Sequence, residues 1–486
     1  MLFNSVTFAV FLLIVFSFYW FVFQRHLKVQ NVFIVAASYL FYGWWDWRFL
    51  SLIIFTSFCS WSFGLLMRRI DDQQMPLSAI FSRKFMSISN IVLNIGVFSI
   101  FKYYHFFVDS FVSAFASFGL YLHPHTLNII LPVGISFYTF QALSYSIDVY
   151  KRKIEPTKDV IAFFTYIGFF PLLVAGPIER ATNLLPQFLK RRTFDYEKAA
   201  DGMRQILWGL FKKIVIADNC ATYVNRVFEN PSDQTGSTLL IGAVFFAFQI
   251  YGDFSGYSDI AIGTARLFGI NAMRNFAYPY FSRDIAEFWR RWHISLTTWF
   301  RDYVYIPLGG SRGTKGQVVR NTFIIFLLSG FWHGANWTFI AWGAFHAMLF
   351  LPLILLGKNR KYTDTVAEGR FFPNIKELFQ MGTTFFMVVI GWVFFRADTI
   401  GQAFLALQKI FSASMADVPY FDDFYYLIVL LAGLMLTIEW FGRQGKYALE
   451  MLSSKSAVFR WATYFFIAFL IFAFRGHSAN FIYFQF

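Results

Sequence analysis

Long stretches without a charged side chain are the feature that most limits how this chain can fold. Residues 321–357 contain no Asp, Glu, Lys or Arg, and further charge-free apolar runs cover residues 2–23, 234–252, 424–438 and 461–474. About 20 consecutive apolar residues cross the hydrocarbon core of a bilayer as a helix. Only 14% of the residues are charged, whereas a soluble domain carries about a quarter. The sequence therefore predicts an all-α fold, a polytopic transmembrane helical bundle of about ten to twelve spans.

The net charge of +14 comes from short basic clusters between the apolar runs, such as residues 25–28, 151–153 and 190–192. Cytoplasmic loops of membrane proteins carry such an excess of Lys and Arg, so this charge does not indicate nucleic-acid binding. The first apolar run has no charged side chain before it and basic residues after it, which places the N-terminus outside. Because this run lacks a basic leader and a small-residue cleavage site, we expect an anchor, not a signal peptide.

The loop at residues 271–320 combines basic and aromatic residues directly before the most apolar run. Arg290 and Arg301 lie on one side of a helix, and His293 lies at the edge between the two faces, where by itself it indicates an interfacial histidine. Ile294 on the polar side is the exception. The pattern predicts one amphipathic helix, either lying in the membrane interface or packed on the bundle. Its apolar arc consists of Phe288, Trp289, Trp292, Leu296, Trp299 and Phe300.

A histidine interrupts the charge-free run at residues 321–357. His333 lies between Gly330 and Gly334, with Asn336 close by. An ionisable residue within a span is costly and usually faces a cavity or a polar partner, so a functional role is favoured over a structural histidine. The glycines allow a helix break or a close backbone approach. His346 lies on the same run without such a pair of flanking glycines, so it is the weaker candidate.

Two acidic residues follow another apolar run, in the segment Gln249–Asp259 that is rich in hydroxyls and glycines. Asp253 and Asp259 are placed to relay protons or to bind a substrate hydroxyl. The structural alternative is that they cap a broken helix or pair with Arg266 and Arg274.

Several other kinds of site are excluded or weak. The loop at residues 309–316 resembles a phosphate cradle, but Thr314 stands before Lys315 where a P-loop has glycine. A basic loop is the plain interpretation, and contact with the phosphates of coenzyme A is the alternative. No serine nucleophile elbow and no HExxH motif occur. The two cysteines, Cys59 and Cys220, cannot build a cysteine-rich zinc site, so we expect no metal and no bound cofactor.

Five segments together resemble bacterial membrane-bound O-acyltransferases, in particular the alginate and peptidoglycan O-acetyltransferase branch. The longest begins Phe-Trp-Arg-Arg-Trp-His at Phe288 and ends Tyr-Ile-Pro-Leu-Gly-Gly at Gly310, and the second is Ser-Gly-Phe-Trp-His-Gly-Ala-Asn-Trp. The resemblance extends over nearly the whole chain. The five segments are residues 174–180, 251–259, 288–310, 329–337 and 480–486.

The resemblance implies roles for individual residues. The histidine of the family's Trp-His-Gly motif, which is taken as catalytic, corresponds to His333, and the second family histidine corresponds to His293. We expect both to be catalytic. A neutral imidazole can accept a proton from an attacking hydroxyl or attack a thioester itself, and the sequence leaves both roles open. We expect contacts with donor or acceptor from Asp253, Asp259, Arg290, Arg291, Trp332 and Asn336.

The resemblance also implies a fold and a reaction. It implies one membrane domain over residues 1–486 with a catalytic core at about residues 130–350, in which helices, some of them re-entrant or interfacial, surround a funnel. The expected enzyme is an acyltransferase of the bacterial inner membrane that takes acetyl groups from cytosolic acetyl-CoA. The expected acceptor is an extracytoplasmic polysaccharide or peptidoglycan, reached through a separate extracytoplasmic acetyltransferase of the SGNH type or similar.

Two other functions fit parts of the pattern. D-alanyl or other acyl transfer to an envelope polymer is the enzymatic alternative. A transporter or flippase would also have many spans with buried His and Asp, but transporters often show inverted repeats with paired broken segments. Here no such pairing is found, and the candidate ionisable residues crowd between Asp253 and His346. This distribution favours a single catalytic core.

Overall fold

The structure is a computed structural model in which every regular element of the described residues is a helix, and no strand occurs among them. This confirms the predicted all-α class. The segment at residues 480–486, which carried part of the family resemblance, is described only at Phe481 and Ile482. The described residues are 1–72, 82–123, 127, 129–476 and 481–482.

The chain divides into two compact units. The first unit consists of residues 1–199 and 265–273, and the second consists of residues 200–264 and 274–486. One membrane domain with a catalytic core at about residues 130–350 stays a prediction.

Eight α-helices lie entirely within the described part of the first unit, and buried polar residues between them make hydrogen bonds in an apolar setting. Arg192 is buried and donates hydrogen bonds to Gln30 Oε1 at 2.9 Å and to Asn31 Oδ1 at 2.6 Å. These bonds satisfy a guanidinium that would otherwise be costly to bury. The helices are α1 (Val6–Ser17), α2 (Leu27–Asp46), α3 (Leu50–Asp71), α4 (Arg83–Ala116), α5 (Ile135–Tyr150), α6 (Val160–Gly168), α7 (Phe170–Leu173) and α8 (Ala181–Phe188).

The second unit contains the segments in which the sequence predicted chemistry. Helix α9 (Tyr196–Leu210) runs into it from the first unit and continues as a π-helical segment, Phe211–Ala217. The remaining helices are α10 (Asp218–Glu229), α11 (Gly236–Leu267), α12 (Ile285–Arg291), α13 (Ile294–Phe300), α14 (Lys315–His333), α15 (Trp337–Leu355), α16 (Ile375–Arg396), α17 (Ile400–Ile410), α18 (Asp423–Gly442) and α19 (Ala457–Ala473).

Among the described residues, 6 helical segments are long and apolar enough to cross a membrane. Two shorter apolar helical segments, Val6–Val22 and Ala457–Ala473, add to them. The sequence-based count of about ten to twelve also included apolar runs that are broken by Gly, Pro or polar residues, and one of the six segments, Leu27–Asp71, contains both α2 and α3. Length and composition thus confirm a multi-pass membrane protein.

Helices α14 and α15 pack closely because two glycines remove side chains from their interface. A Cβ at Gly330 would stand 2.2 Å from the Phe339 carbonyl oxygen, and one at Gly343 would stand 2.4 Å from that of Phe326. Such distances are far inside van der Waals contact, so neither position accepts a side chain without moving the backbone. The predicted close approach beside His333 is therefore confirmed, and it fixes the end of α14 on which His333 lies.

Candidate functional site

The predicted amphipathic helix is two short helices, α12 and α13, separated by Trp292 and His293. His293 has φ +42° and ψ 55°, a left-handed conformation that ends one helix and begins the next. The prediction of one continuous helix is therefore wrong. Two backbone bonds bracket the break, because Ala277 N–H donates to Arg291 O at 2.9 Å and Ile294 N–H donates to Asn275 O at 2.8 Å.

The aromatic arc of these helices is buried inside the second unit. Phe288 and Trp292 are each 1% exposed, and Trp289 is 7% exposed. Of the two alternatives for this segment, the structure supports packing on the bundle over a helix lying at the membrane surface. The break explains why: the turn at His293 lets both halves present their aromatic residues to the core.

His333 is the last residue of α14, and one bond defines the state of its imidazole. Its Nδ1 lies 2.6 Å from the carbonyl oxygen of Ser329. Because a carbonyl can only accept a hydrogen bond, Nδ1 carries a proton, and in the neutral imidazole the lone pair then lies on Nε2. The side chain is buried, with 2% of its surface exposed. His333 is thus a buried imidazole whose Nε2 can accept a proton or attack a carbonyl carbon.

The structure brings the two predicted histidines together. The ring centroids of His293 and His333 are 6.3 Å apart. Trp332 contacts both, with its ring 5.9 Å from His293 and 5.0 Å from His333. The edge-to-face ring contacts form a largely apolar surrounding, which is completed by Phe254 against His293 and by Trp342 and Phe395 against His333.

This surrounding favours neutral imidazole. Burial, together with the nearby His333, holds the pKa of His293 well below its usual value of 6.5. A neutral histidine near pH 7 is the form that can accept a proton. The site therefore combines two buried histidines, whose ring centroids are 6.3 Å apart, among aromatic side chains.

The two predicted acidic residues pair with lysines that the sequence analysis did not single out. Asp253 Oδ1 lies 2.7 Å from Lys213 Nζ, and Asp259 Oδ2 lies 2.6 Å from Lys212 Nζ. The structural alternative of ion pairing is therefore found, but with lysines in place of Arg266 and Arg274. Both lysines lie on the π-helical segment Phe211–Ala217, and both reach acidic residues of α11.

Asp253 has an additional partner near the C-terminus. Its Oδ2 accepts a hydrogen bond from Ile482 N–H at 2.6 Å, and Phe481 packs on Tyr257 with centroids 4.3 Å apart. Lys213 also contacts Asp218 Oδ1 at 2.7 Å. Asp253 thus lies in a buried ionic cluster that holds the described C-terminal residues on α11, and its predicted contact with substrate stays a prediction.

Asp259 lines a polar cavity in the second unit. The cavity is also lined by Lys212, Arg274 and Glu439, and by Lys446 at its exposed end. Glu439 accepts hydrogen bonds from the Tyr251 hydroxyl at 2.8 and 2.9 Å. In the sequence, Glu439 stands out only as a single acidic residue directly after the apolar run at residues 424–438.

Three other candidates make structural contacts. Arg290 donates to the carbonyl oxygens of Asn359 and Tyr362, and Arg291 binds Glu287 Oε1 at 2.8 Å. Asn336 caps α15, because its Oδ1 accepts from Thr338 N–H at 3.1 Å. These bonds hold loops and helix ends in place, and roles in substrate binding stay predictions.

The basic loop at residues 309–316 and His346 are the remaining features that the sequence analysis singled out, and both have structural contacts. Thr314 caps α14 through its bond with Gln317 N–H, and the Gln317 side chain returns the bond. His346 is fully buried between aromatic rings, including Trp289 and Trp342 at 5.1 Å each. Neither position contacts the two central histidines, although Trp342 lies between His346 and His333.

Comparison with known proteins gives consistent relatives. Residues 154–394 match the family model described as MBOAT, membrane-bound O-acyltransferase family. The chain is 41% identical over 386 residues to the "Probable alginate O-acetylase AlgI" of Pseudomonas aeruginosa, covering 79% of this chain and 70% of the relative. It is 32% identical over 418 residues to the "Peptidoglycan O-acetyltransferase" of Helicobacter pylori, covering 80% and 76%. It is 30% identical over 254 residues to the "Teichoic acid D-alanyltransferase" of Bacillus subtilis, covering 49% and 62%.

Proposed function

Because this chain belongs to the membrane-bound O-acyltransferase family, we propose that it moves an acetyl group from cytosolic acetyl-CoA toward an extracytoplasmic polysaccharide or peptidoglycan. That it is an acyltransferase and a multi-pass membrane protein follows from the family and from its apolar helices. The donor, the acceptor and the direction of transfer are the proposed part.

The observation that carries the proposal is the meeting of His293 and His333 in a buried aromatic pocket. Their ring centroids are 6.3 Å apart, and the Nδ1–H of His333 is held by Ser329 O. That bond fixes the tautomer and leaves Nε2 as the reactive nitrogen. A thioester carbonyl placed against Nε2 would meet a base or nucleophile from which bulk water is excluded.

The proposed step is acyl transfer from sulfur to oxygen. With His333 as general base, Nε2 accepts the proton of the attacking hydroxyl while its oxygen bonds to the thioester carbonyl carbon. The carbon–sulfur bond then breaks, and the coenzyme A thiolate takes the proton back from the imidazolium. With His333 as nucleophile, Nε2 bonds to the carbonyl carbon while the carbon–sulfur bond breaks and the coenzyme A thiolate leaves. The hydroxyl oxygen then takes the acyl group from Nε2, and its proton passes to the thiolate. Both routes need the same lone pair.

The choice of an acetyl group rests on the relatives. Those that match over most of the chain are named as an alginate O-acetylase and a peptidoglycan O-acetyltransferase. The relative named as a teichoic acid D-alanyltransferase matches about half of the chain. Acetyl transfer to a carbohydrate hydroxyl is therefore favoured over D-alanyl transfer.

The orientation follows from charge. Basic clusters that flank apolar runs mark cytoplasmic loops, and the first apolar run has its basic residues only on its C-terminal side. We propose that the protein lies in the bacterial inner membrane with its N-terminus outside. Acetyl-CoA would then approach from the side of the basic residues between Arg283 and Arg320.

Transfer onto a large polymer would need a second protein. The long loops of the chain are basic, and no serine nucleophile motif occurs in the sequence. We propose an extracytoplasmic acetyltransferase, of the SGNH type or similar, as the acceptor partner. Liposomes with donor inside and polymer outside test this: polymer acetylation that requires an added partner supports the relay, and full acetylation by this protein alone contradicts it.

The donor is tested with purified protein in detergent. Labelled acetyl-CoA and a D-alanyl carrier protein are supplied separately with the same hydroxyl acceptor, and ester-linked label is counted. We expect label only from acetyl-CoA, and none with His333→Ala. Transfer from the D-alanyl carrier alone would refute the proposed donor and favour the D-alanyl alternative.

A further inference from the structure

Asn275 joins three elements directly beside His293. Its side-chain Oδ1 accepts a hydrogen bond from the Ser295 hydroxyl at 2.6 Å, and its Nδ2 donates to the Ser258 hydroxyl at 3.0 Å. Its backbone carbonyl accepts from Ile294 N–H at 2.8 Å. The residue is fully buried. One side chain and its carbonyl therefore fasten α11 and the start of α13 to the segment at residues 274–278.

The conformation of His293 needs such a fastening. A left-handed backbone conformation is unfavourable for an L-residue, because its Cβ comes too close to the following carbonyl oxygen. Non-glycine residues keep such conformations only where the surroundings over-determine them, and these positions cluster at functional sites. The bonds of Asn275 act on the two residues that follow His293, Ile294 and Ser295. The Ala277–Arg291 bond acts on the other side of the break.

The bonds of Asn275 also place the imidazole. Ser258 lies on α11, one helical turn after Phe254, whose ring meets that of His293 at 4.7 Å with the planes at 89°. Fastening α13 to α11 thus sets the position of His293 against Phe254 and, through it, the distance to His333. Asn275 also lines the polar cavity with Asp259 and Glu439, so its other side faces that cavity.

We propose that Asn275 is the positioning residue for His293, holding its backbone in the left-handed conformation that directs the imidazole toward His333. This inference rests on the proposed function for its catalytic consequence, but not for its structural one. A displacement of about 1 Å in a reacting group can lower a rate by about 100-fold. Asn275→Ala removes both side-chain bonds and leaves the backbone bond from Ile294.

The kinetic test is a double-mutant cycle with acetyl transfer as the readout. Asn275→Ala is expected to lower kcat by about 100-fold, with the KM for acetyl-CoA changed less than twofold. Ser295→Ala, which loses one of the bonds, is expected to have a smaller effect. In a His293→Ala background, Asn275→Ala is expected to add nothing, because there is no imidazole left to position. An equal further loss in that background would overturn the inference.

The matched control is Asn219→Ala. Asn219 is also buried, and its Nδ2 donates to three carbonyls, those of Ile214, Val215 and Phe474, at 3.0 to 3.2 Å. Its loss is expected to lower stability to a similar degree while leaving kcat near that of the wild type. A fall in kcat equal to that of Asn275→Ala would show that any buried asparagine has this effect, and would overturn the inference.

A second readout does not depend on the enzyme activity. Diethyl pyrocarbonate modifies neutral imidazole, and trypsin releases His293 as the only histidine of the peptide at residues 292–301. Because His293 is 1% exposed, we expect little modification in the folded wild type and in Asn219→Ala, and strong modification in Asn275→Ala. Equal modification in all three proteins would overturn the positioning role. If His293 of the wild type is protected from the reagent as expected but the protein transfers no acetyl group, the proposed function is refuted and the positioning role is not.

Discussion

Substitution of His293 can separate the chemistry of its imidazole from the conformation of its backbone. The residue has φ +42° and ψ 55°. Asparagine visits this region more readily than other residues with a Cβ, because its short polar side chain bonds locally. Alanine has no such compensation. His293→Asn therefore removes the imidazole with little backbone strain, whereas His293→Ala removes the imidazole and keeps the strain.

The expected magnitudes differ between stability and activity. Against asparagine, alanine is expected to lose up to about 1–2 kcal/mol of stability from the left-handed backbone. Both variants lose the edge-to-face contact with Phe254, which is worth about 0.5–1.5 kcal/mol. We expect loss of the second catalytic imidazole to lower turnover by about 10²–10⁴-fold, the range for a positioned acid or base, and to do so equally in both variants.

The assay measures kcat for acetyl transfer together with thermal unfolding in detergent for both variants. We expect His293→Asn to unfold at a higher temperature than His293→Ala and to be equally inactive. If His293→Asn had wild-type turnover while His293→Ala did not, the backbone conformation and not the imidazole would be what the reaction requires. That result would refute the role assigned to His293.

Three further predictions concern packing and charge. Gly330→Ala places a Cβ 2.2 Å from Phe339 O, so we expect it to lower both stability and turnover. The control Gly382→Ala, whose Cβ would have no atom within 4 Å, is expected to change neither. Thermal unfolding and acetyl transfer are measured for both variants. Lys213→Met leaves two buried aspartates without their shared cation and is expected to cost about 3–5 kcal/mol, seen as loss of folded protein on size exclusion in detergent. Burial raises the pKa of Glu179 from 4.5 to about 7, so folding stability is full below pH 4.5 and falls as pH rises toward about 7. Glu179→Gln removes that loss, about 3 kcal/mol, and unfolding curves at pH 5 and pH 8 that shift equally in both proteins would contradict it.

The sequence was sufficient to predict the helical membrane class, and it singled out two histidines that the structure places side by side. A long charge-free run by itself indicates a helix that lies in a bilayer, so the membrane class could be predicted without knowledge of tertiary contacts. His333 was detectable because an ionisable residue bracketed by glycines is rare in such a run. His293 was assigned by resemblance, and only the structure shows it 6.3 Å from His333.

The break between α12 and α13 could not be predicted from periodicity. The pattern of aromatic residues fits one helix, and His293 carries no local signal for a left-handed conformation. The break depends on Asn275 and Ala277, which bond to Ile294 and Arg291 from another part of the chain. Tertiary contacts of this kind override a local helical pattern, and one sequence does not show them.

The partners of Asp253 and Asp259 were missed for a related reason. The sequence analysis considered only Arg266 and Arg274, which are near Asp253 and Asp259 in the sequence. Lys212 and Lys213 lie on a separate helical segment, Phe211–Ala217, and one sequence does not show that this segment packs against α11.

The central claim is that the pocket around His333 transfers acyl groups, and one measurement tests it most directly. A strain that lacks the protein is complemented with the wild type or with His333→Ala, matched for membrane level and thermal unfolding, and ester-linked acetate on its envelope polymers is quantified. The account predicts that the variant inserts and folds like the wild type but leaves acetate at the level of the uncomplemented strain. Acetate near the wild-type level with His333→Ala would remove His333 from the mechanism and contradict the account.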